Sequence, residues 1–193
     1  MVQLMRNKHR YRSVFFLISY TYTRANLRPS PYYSRMDVEG GVRMIRRAVY
    51  RTDRESIVRL VYRELWPFTR RTFPGRRFSR KDVLQRLRIR HVFVKVGKNG
   101  DILGFIMAAT VRGGLFIDLL AVDRQVQHQG IGATLMSVIE RMGRRNGLTY
   151  ATLFVDDSNM TAMRFYEKLG YVRSGYVIAT RCYVYQKPLS SIG

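Results

Sequence analysis

The residues with the types and spacing for chemistry begin at Gln127-His128-Gln129-Gly130-Ile131-Gly132, followed by Ala133 and Thr134. An apolar run, Leu115 to Val122, precedes them. Ile131, Leu135, Val138, Ile139 and Met142 follow on one helical face. A strand, a glycine turn and a helix in that order expose unpaired N–H groups at the positive end of the helix. Glycine lets a ligand come close to that backbone, so the chemistry offered is that of an anion site for phosphate or pyrophosphate. A tight Gly-x-Gly connection with nothing bound has the same spelling. Ala133-Thr134-Leu135 stands where a dinucleotide fingerprint needs its third glycine, and no Lys-Ser/Thr follows, so the turn is neither that fingerprint nor a P-loop.

Other candidates are scattered. Asp118 interrupts Phe116, Ile117, Leu119 and Leu120; a carboxylate there is costly unless paired or functional, so it is a candidate base or an arginine partner. Glu64, near the end of the first helix, is a second candidate base, with a solvated helix residue as the alternative. Tyr166 offers a phenolic proton donor or core packing beside Phe165. His128 is an anion contact or a surface residue.

The elements that position these residues follow from period and punctuation. Residues 43–50 read as a strand. Thr52 or Asp53 caps a helix carrying Ile57, Val58, Leu60, Val61 and Leu65, which Pro67 ends. Trp66 to Phe78 is an aromatic and arginine segment with a turn at Pro74-Gly75, and Ser79 caps a second helix bearing Val83, Leu84, Leu87 and Ile89. His91 to Val96 and Ile102 to Val111 are strands joined by a hairpin through Asn99-Gly100. Beyond the central helix come a strand from Leu148 to Val155, a short helix Met160 to Leu169 capped by Ser158 or Asn159 and closed by Gly170, and paired strands Tyr171–Ala179 and Cys182–Lys187. The expectation is a mixed α/β (α+β) sheet with helices packed on it.

Bulk properties bound the rest. The 193 residues allow one domain plus an extension, and 46% apolar content argues against global disorder. No apolar run reaches the ~20 residues of a membrane-spanning helix. Cys182 stands alone, which excludes an intramolecular disulfide or a cysteine-rich zinc site and favours an intracellular setting. A net charge of +22 attracts anions, RNA or ribosomes, although only six of the basic residues are lysines and an arginine-biased genome would produce the same balance. Residues 1–42 form a basic extension, with no acid before Asp37. A transit leader, a nucleic-acid arm and an over-long start compete for it. The expected localisation is cytoplasmic, with an organelle as the alternative.

Two motifs give the chain from about 43 to 189 its resemblance to the general N-acetyltransferase (GNAT) superfamily. One is Gln127-x-x-Gly130-x-Gly132, between strand and helix. The other, starting 27 residues after Gly132, is Asn159-x-x-Ala162-x-x-Phe165-Tyr166-Glu167-Lys168-Leu169-Gly170-Tyr171, where the family usually ends on Phe rather than Tyr. The resemblance implies a mostly antiparallel sheet of six to seven strands with about four helices, splayed between strands 4 and 5. It implies acetyl-CoA as co-substrate, no metal, and transfer of acetyl to a primary amine by direct attack in a ternary complex.

By the same resemblance the pyrophosphate would lie on the amides of Gln127, Gln129, Gly130, Ile131, Gly132 and Ala133, with His128 and Thr134 alongside. Leu120 and Val122 would hold the pantetheine through their backbone, and Asn159 would reach it from the other side. Leu120 would also hold the oxyanion, and Tyr166 would be general acid to the thiolate. The spelling is similar to RimI-like and other N-terminal acetyltransferases, so a protein α-amine is the expected acceptor. A small-molecule amine, or a basic RNA- or ribosome-binding role for the fold, is the alternative. The protein is expected to be a monomer or homodimer.

Overall fold

The computed structural model describes residues 44–189. The basic extension and its apolar stretch Val14–Ile18 lie outside the described residues. The elements are β1 (Ile45–Arg47), α1 (Tyr50–Leu60), a π-helical turn (Val61–Leu65) leading directly into α2 (Trp66–Thr72), α3 (Arg80–Ile89), β2 (His91–Val96), β3 (Ile102–Val111), β4 (Gly114–Val122), α4 (Ile131–Arg145), β5 (Tyr150–Asp156), α5 (Met160–Lys168), β6 (Val172–Val177) and β7 (Cys182–Pro188). With α1 and α2 taken as one bent helix, four helical bodies flank a seven-stranded sheet ordered β1-β2-β3-β4-β5-β7-β6.

All neighbours in the sheet are antiparallel except β4 and β5. That parallel pair needs a crossover, and α4 supplies it. Both faces of the sheet are covered, which is why β2 to β4 read as near-continuous apolar runs. On one face α4 and α5 bury Leu135, Ile139 and Met163 against Ile106, Leu115, Ile117 and Leu153. On the other, α1, the π-turn and α3 bury Ile57, Val61 and Leu87 against Val94, Phe105 and Met107.

The feature that shapes the site is a β-bulge. Ala108 pairs with Ile117 and Met107 with Leu119, so Asp118 is an extra residue in β4. The insertion switches the phase of side-chain alternation. Leu115 and Ile117 face the α4 side, whereas Leu119 and Ala121 face the α1 side, and Leu120 and Val122 return to the α4 side. Pairing of β4 with β5 is confined to Gly114–Ile117 against Tyr150–Leu153. The two strands part at the bulge, which is the expected splay between strands 4 and 5.

Several boundaries differ from expectation. The first strand is three residues long, and α1 begins at Tyr50 with Val49 at its N-cap. Neither Thr52 nor Asp53 caps it. The buried Asp53 carboxylate instead accepts the Val49 N–H (2.7 Å) and takes Arg46 in two contacts of 2.6 and 3.0 Å, the carboxylate half of a capping box without the N-cap side chain that would complete it. Pro67 does not end the helix. The π-turn absorbs the disruption, and Pro67 enters at the start of α2, where a missing N–H is tolerated. The strand expected from Leu148 starts at Tyr150, and the one expected to reach Ala179 stops at Val177, before a 3₁₀ turn over Ile178–Thr180. Among the described residues no helix is long and apolar enough to cross a membrane.

Candidate active site

The glycine turn is built from two left-handed residues. His128 has φ 62° and Gly130 has φ 77°. Asp123 starts the turn by accepting the Gln125 N–H (3.0 Å), and Gln127 folds back to donate its side-chain amide to the Val122 carbonyl (2.9 Å). Gly130 is the N-cap of α4 and no side chain caps that end. The first helical bond runs from the Thr134 N–H to the Gly130 carbonyl (3.0 Å), and the Thr134 hydroxyl donates to the same oxygen (2.9 Å). The N–H groups of Ile131, Gly132 and Ala133 therefore precede the intrahelical ladder. Gln127, His128, Gln129 and Gly130 are exposed.

The two glycines answer different demands. A Cβ on Gly130 would meet nothing within 4 Å, so its requirement is the positive φ. A Cβ on Gly132 would lie 3.2 Å from Phe165 of α5 and 3.8 Å from Val122 of β4. Gly132 is small because α5 packs against the start of α4 there.

Where β4 and β5 part, a cavity of about 140 Å³ opens. Leu120, Asn159 and Tyr166 all line it, so residues from β4, from the cap of α5 and from α5 itself converge. Asn159 caps α5 by accepting the Ala162 N–H (3.0 Å). Tyr166 is buried, edge-on to Phe165 and to Tyr171 at 5.1 and 5.8 Å. Burial pushes its phenol far above the ordinary range, so it stays protonated and able to donate. The departure at Tyr171 has a physical reason. Its hydroxyl donates to the buried Glu140 carboxylate (3.0 Å), which also takes Lys187 (2.9 Å), and so ties the end of the second motif to α4 and β7.

The two carboxylates suggested as bases are engaged elsewhere. Asp118 lines the cavity, but its side chain is 2% exposed and lies between Arg86 (2.9 Å) and Arg90 (3.4 Å) of the α3 end. Glu64, on the π-turn, contacts Arg63 (3.3 Å) and Arg124 (3.4 Å), and it is not among the residues lining the cavity. Arg63 also reaches Asp123 (3.0 Å). This network fastens the π-turn to the glycine turn.

On the far wall, sequence reasoning marked the segment Trp66 to Phe78 without naming the residues that line the cavity, and gave no role to those from β4, β5 and β7. Phe68, Thr69, Phe73, Phe116, Phe154, Asp156 and Cys182 line the cavity too. Asp156 accepts the hydroxyls of Thr72 and Ser158, each at 2.6 Å, and the Ser158 N–H (3.0 Å), so one carboxylate joins α2, β5 and the turn before α5. The available signal was Asp156-x-Ser158, an acid at a strand end two residues before a serine in the turn that leads to the Asn159 cap. Cys182 is buried and its thiol is pushed up to about 11, chiefly by that burial.

This geometry can be set beside known proteins. The acetyltransferase (GNAT) family model matches residues 58–171. An acetyltransferase of Agrobacterium fabrum, Atu2258, is 31% identical over 77 residues, which is 40% of this chain and 55% of that protein. The match thus spans about half the length of that curated relative. Among solved structures, Ard1 from Thermoplasma volcanium superposes with a TM-score of 0.61 at 22% identity, covering 76% of this chain and 97% of that one. The ribosomal-protein-S18-alanine N-acetyltransferase from Escherichia coli gives 0.62 at 21% identity, covering 79% and 97%. The PaiA N-acetyltransferase from Thermoplasma acidophilum, solved in complex with coenzyme A, gives 0.61 at 17% identity, covering 76% and 99%. At these identities the structural likeness speaks for the fold, and the family match extends over more than half of the chain. The matched span contains both the glycine turn and the Asn159–Tyr171 motif, and the chain belongs to the GNAT family of acetyltransferases.

Proposed function

We propose that this protein transfers the acetyl group of acetyl-CoA to a primary amine, in the first place a protein N-terminal α-amine, by direct attack within a ternary complex. The observation that carries the reading is the juxtaposition of three uncapped amides at the start of α4 with a cavity lined by Leu120, Asn159 and Tyr166. The amides of Ile131, Gly132 and Ala133, with the flanking Gln127, His128, Gln129, Gly130 and Thr134, would take the pyrophosphate. The unpaired edge of β4 around Leu120 and Val122 would hold the pantetheine and the thioester oxygen, with Asn159 opposite. The amine attacks the thioester carbon, the C–S bond breaks, and the Tyr166 phenol gives its proton to the departing sulfur.

Direct attack is favoured over an acetyl-cysteine relay because the one thiol in the cavity, Cys182, is held protonated well above neutral pH. With Asp118 and Glu64 both in ion pairs, the proton of the attacking amine is best assigned to water in the open cavity. The arginine-rich segment from Trp66 to Phe78 disfavours polycationic amines, which supports a peptide acceptor over a polyamine. A cytoplasmic setting fits this acceptor.

The test is acetyl-CoA turnover over a panel of peptides and small amines, with Tyr166→Phe as the comparison. The variant should lose about 10²-fold or more in kcat while acetyl-CoA still raises its melting temperature. Unchanged kcat sinks the acid role. Turnover of small amines with none on peptides sinks the acceptor class.

A further inference from the structure

A second, smaller cleft adjoins the cavity, and its chemistry is different. Trp66, Arg76, Arg77, Phe78, Asp82 and Arg86 contribute to its lining, and it shares Thr69 and Leu119 with the cavity. Thr69 of α2 and Leu119 of β4 thus form a common wall. Arg76 is the notable member. Its guanidinium stacks on Phe73 at 5.0 Å, and Phe73 itself lines the cavity. Its Nη1 is buried with no hydrogen-bond partner among the described residues. Burial lowers its pKa, which is the sign of a charge held out of water without enough compensation. Guanidinium cannot shed that charge near neutral pH, and a buried donor without an acceptor is costly. Arg70, Arg71, Arg77 and Lys81 lie exposed along the same segment, and Asp82 is the one acid between Thr69 and Val83. The cleft wall nearest Asp118 brings Arg86, whose charge is already met by that carboxylate.

We infer that the acceptor carries a carboxylate one or two residues beyond its reacting amine, so that the substrate class is a protein N-terminus with an apolar first side chain and an acidic second or third residue. The inference rests on the acceptor reading above and deepens it. The aromatic wall of Phe68, Phe73, Phe116 and Phe154 takes the apolar side chain. One further residue advances the chain by about 3.5 Å, toward the cleft that shares Thr69 and Leu119 with the cavity. Arg77, exposed at the rim, and the side of the Arg76 guanidinium that lines the cleft then receive the carboxylate in a charge-assisted contact. The cleft, of about 40 Å³, has room for a carboxylate and not for a nucleotide, which favours an acidic peptide over RNA.

The experiment uses the full-length protein, acetyl-CoA and three peptides identical except for leaders Met-Glu-Glu, Met-Gln-Gln and Met-Lys-Lys. The expected kcat/KM for the glutamate peptide exceeds that for the glutamine peptide by at least tenfold, with the lysine peptide lowest. In Arg76→Gln, and separately in the exposed-site variant Arg77→Gln, the glutamate-to-glutamine ratio should fall toward one. A retained melting-temperature rise with acetyl-CoA shows that each variant is folded. Equal kcat/KM for the glutamate and glutamine peptides overturns the inference and leaves the acceptor reading standing. So does a ratio untouched by both variants. Acetylation of none of the peptides, with turnover on a small amine, overturns both. An RNA oligonucleotide that blocks all three peptides alike, with the block lost in Arg76→Gln, overturns it in favour of a nucleic-acid surface.

Discussion

Asp118 and Asp53 show how much structure a single buried carboxylate can hold together. Asp118 sits at the extra position of the β4 bulge with its charge between Arg86 and Arg90, and the Nη1 of Arg90 is buried with no hydrogen-bond partner among the described residues. Removing the carboxylate strands two buried cations. Asp118→Asn should therefore cost about 3–5 kcal/mol, read as a fall in the urea midpoint. A full-activity variant with an unchanged midpoint would remove this account. At Asp53, burial pushes the carboxyl up, but Arg46, the Val49 N–H and Thr52 outweigh it and hold it below the usual carboxylate value. A lowered folded pKa gives stability that is present above the unfolded value, near pH 4, and is lost as pH falls through the folded one. Asp53→Asn should lose about 2 kcal/mol at neutral pH, and its stability should decline less steeply than the parent's below pH 4 in acid titrations followed by circular dichroism. Gly130→Ala should cost about 1–2 kcal/mol, because φ 77° is left-handed and the added methyl meets no neighbour.

At the scale of elements, the site is a consequence of one strand leaving another. The bulge ends the β4–β5 ladder at Ile117, and the continuing edge of β4 is left facing the cavity. The opposite wall, α2, is tied to β5 through Thr72 and Asp156. Thr72→Val should weaken that tie by about 1 kcal/mol and loosen the acceptor side alone. The expected kinetics are a raised acceptor KM with the acetyl-CoA KM unchanged, and a rise in both would mean that α2 also organises the donor side. The glycine turn has its own fastening through Arg63, Asp123, Glu64 and Arg124.

The whole molecule adds a field. A net charge of +22 over 193 residues draws in an anionic donor such as acetyl-CoA. Screening shortens that reach from about 10 Å at 0.1 M salt to about 3 Å at 1 M. The acetyl-CoA KM should rise several-fold across that range, measured with a neutral acceptor peptide. A salt-independent KM would confine the attraction to the contacts of the turn itself.

Local pattern by itself determined the order of the elements, the glycine turn, a cap at Ser158 or Asn159 that the structure places on Asn159, and the family. These are written in neighbours a few residues apart: the period of Ile131 to Met142, the left-handed demand at Gly130, the motif from Asn159 to Tyr171. The first helix was misjudged at both ends, since Pro67 and Asp53 have local meanings that a π-turn and a strand-to-helix ion pair override. Contacts across tens of residues could be decided only by the tertiary structure. Asp118 reads as either a base or an arginine partner until α3 brings Arg86 and Arg90 to it, and as part of an apolar strand until its register against β3 shows the bulge. Phe73, Asp156 and Cys182 are ordinary residues on three separate segments until the sheet and α2 close them around one cavity. Gly132 is half of a generic turn until Phe165 arrives 3.2 Å from where its Cβ would be. In each case a side chain's role depends on which partner the fold delivers to it.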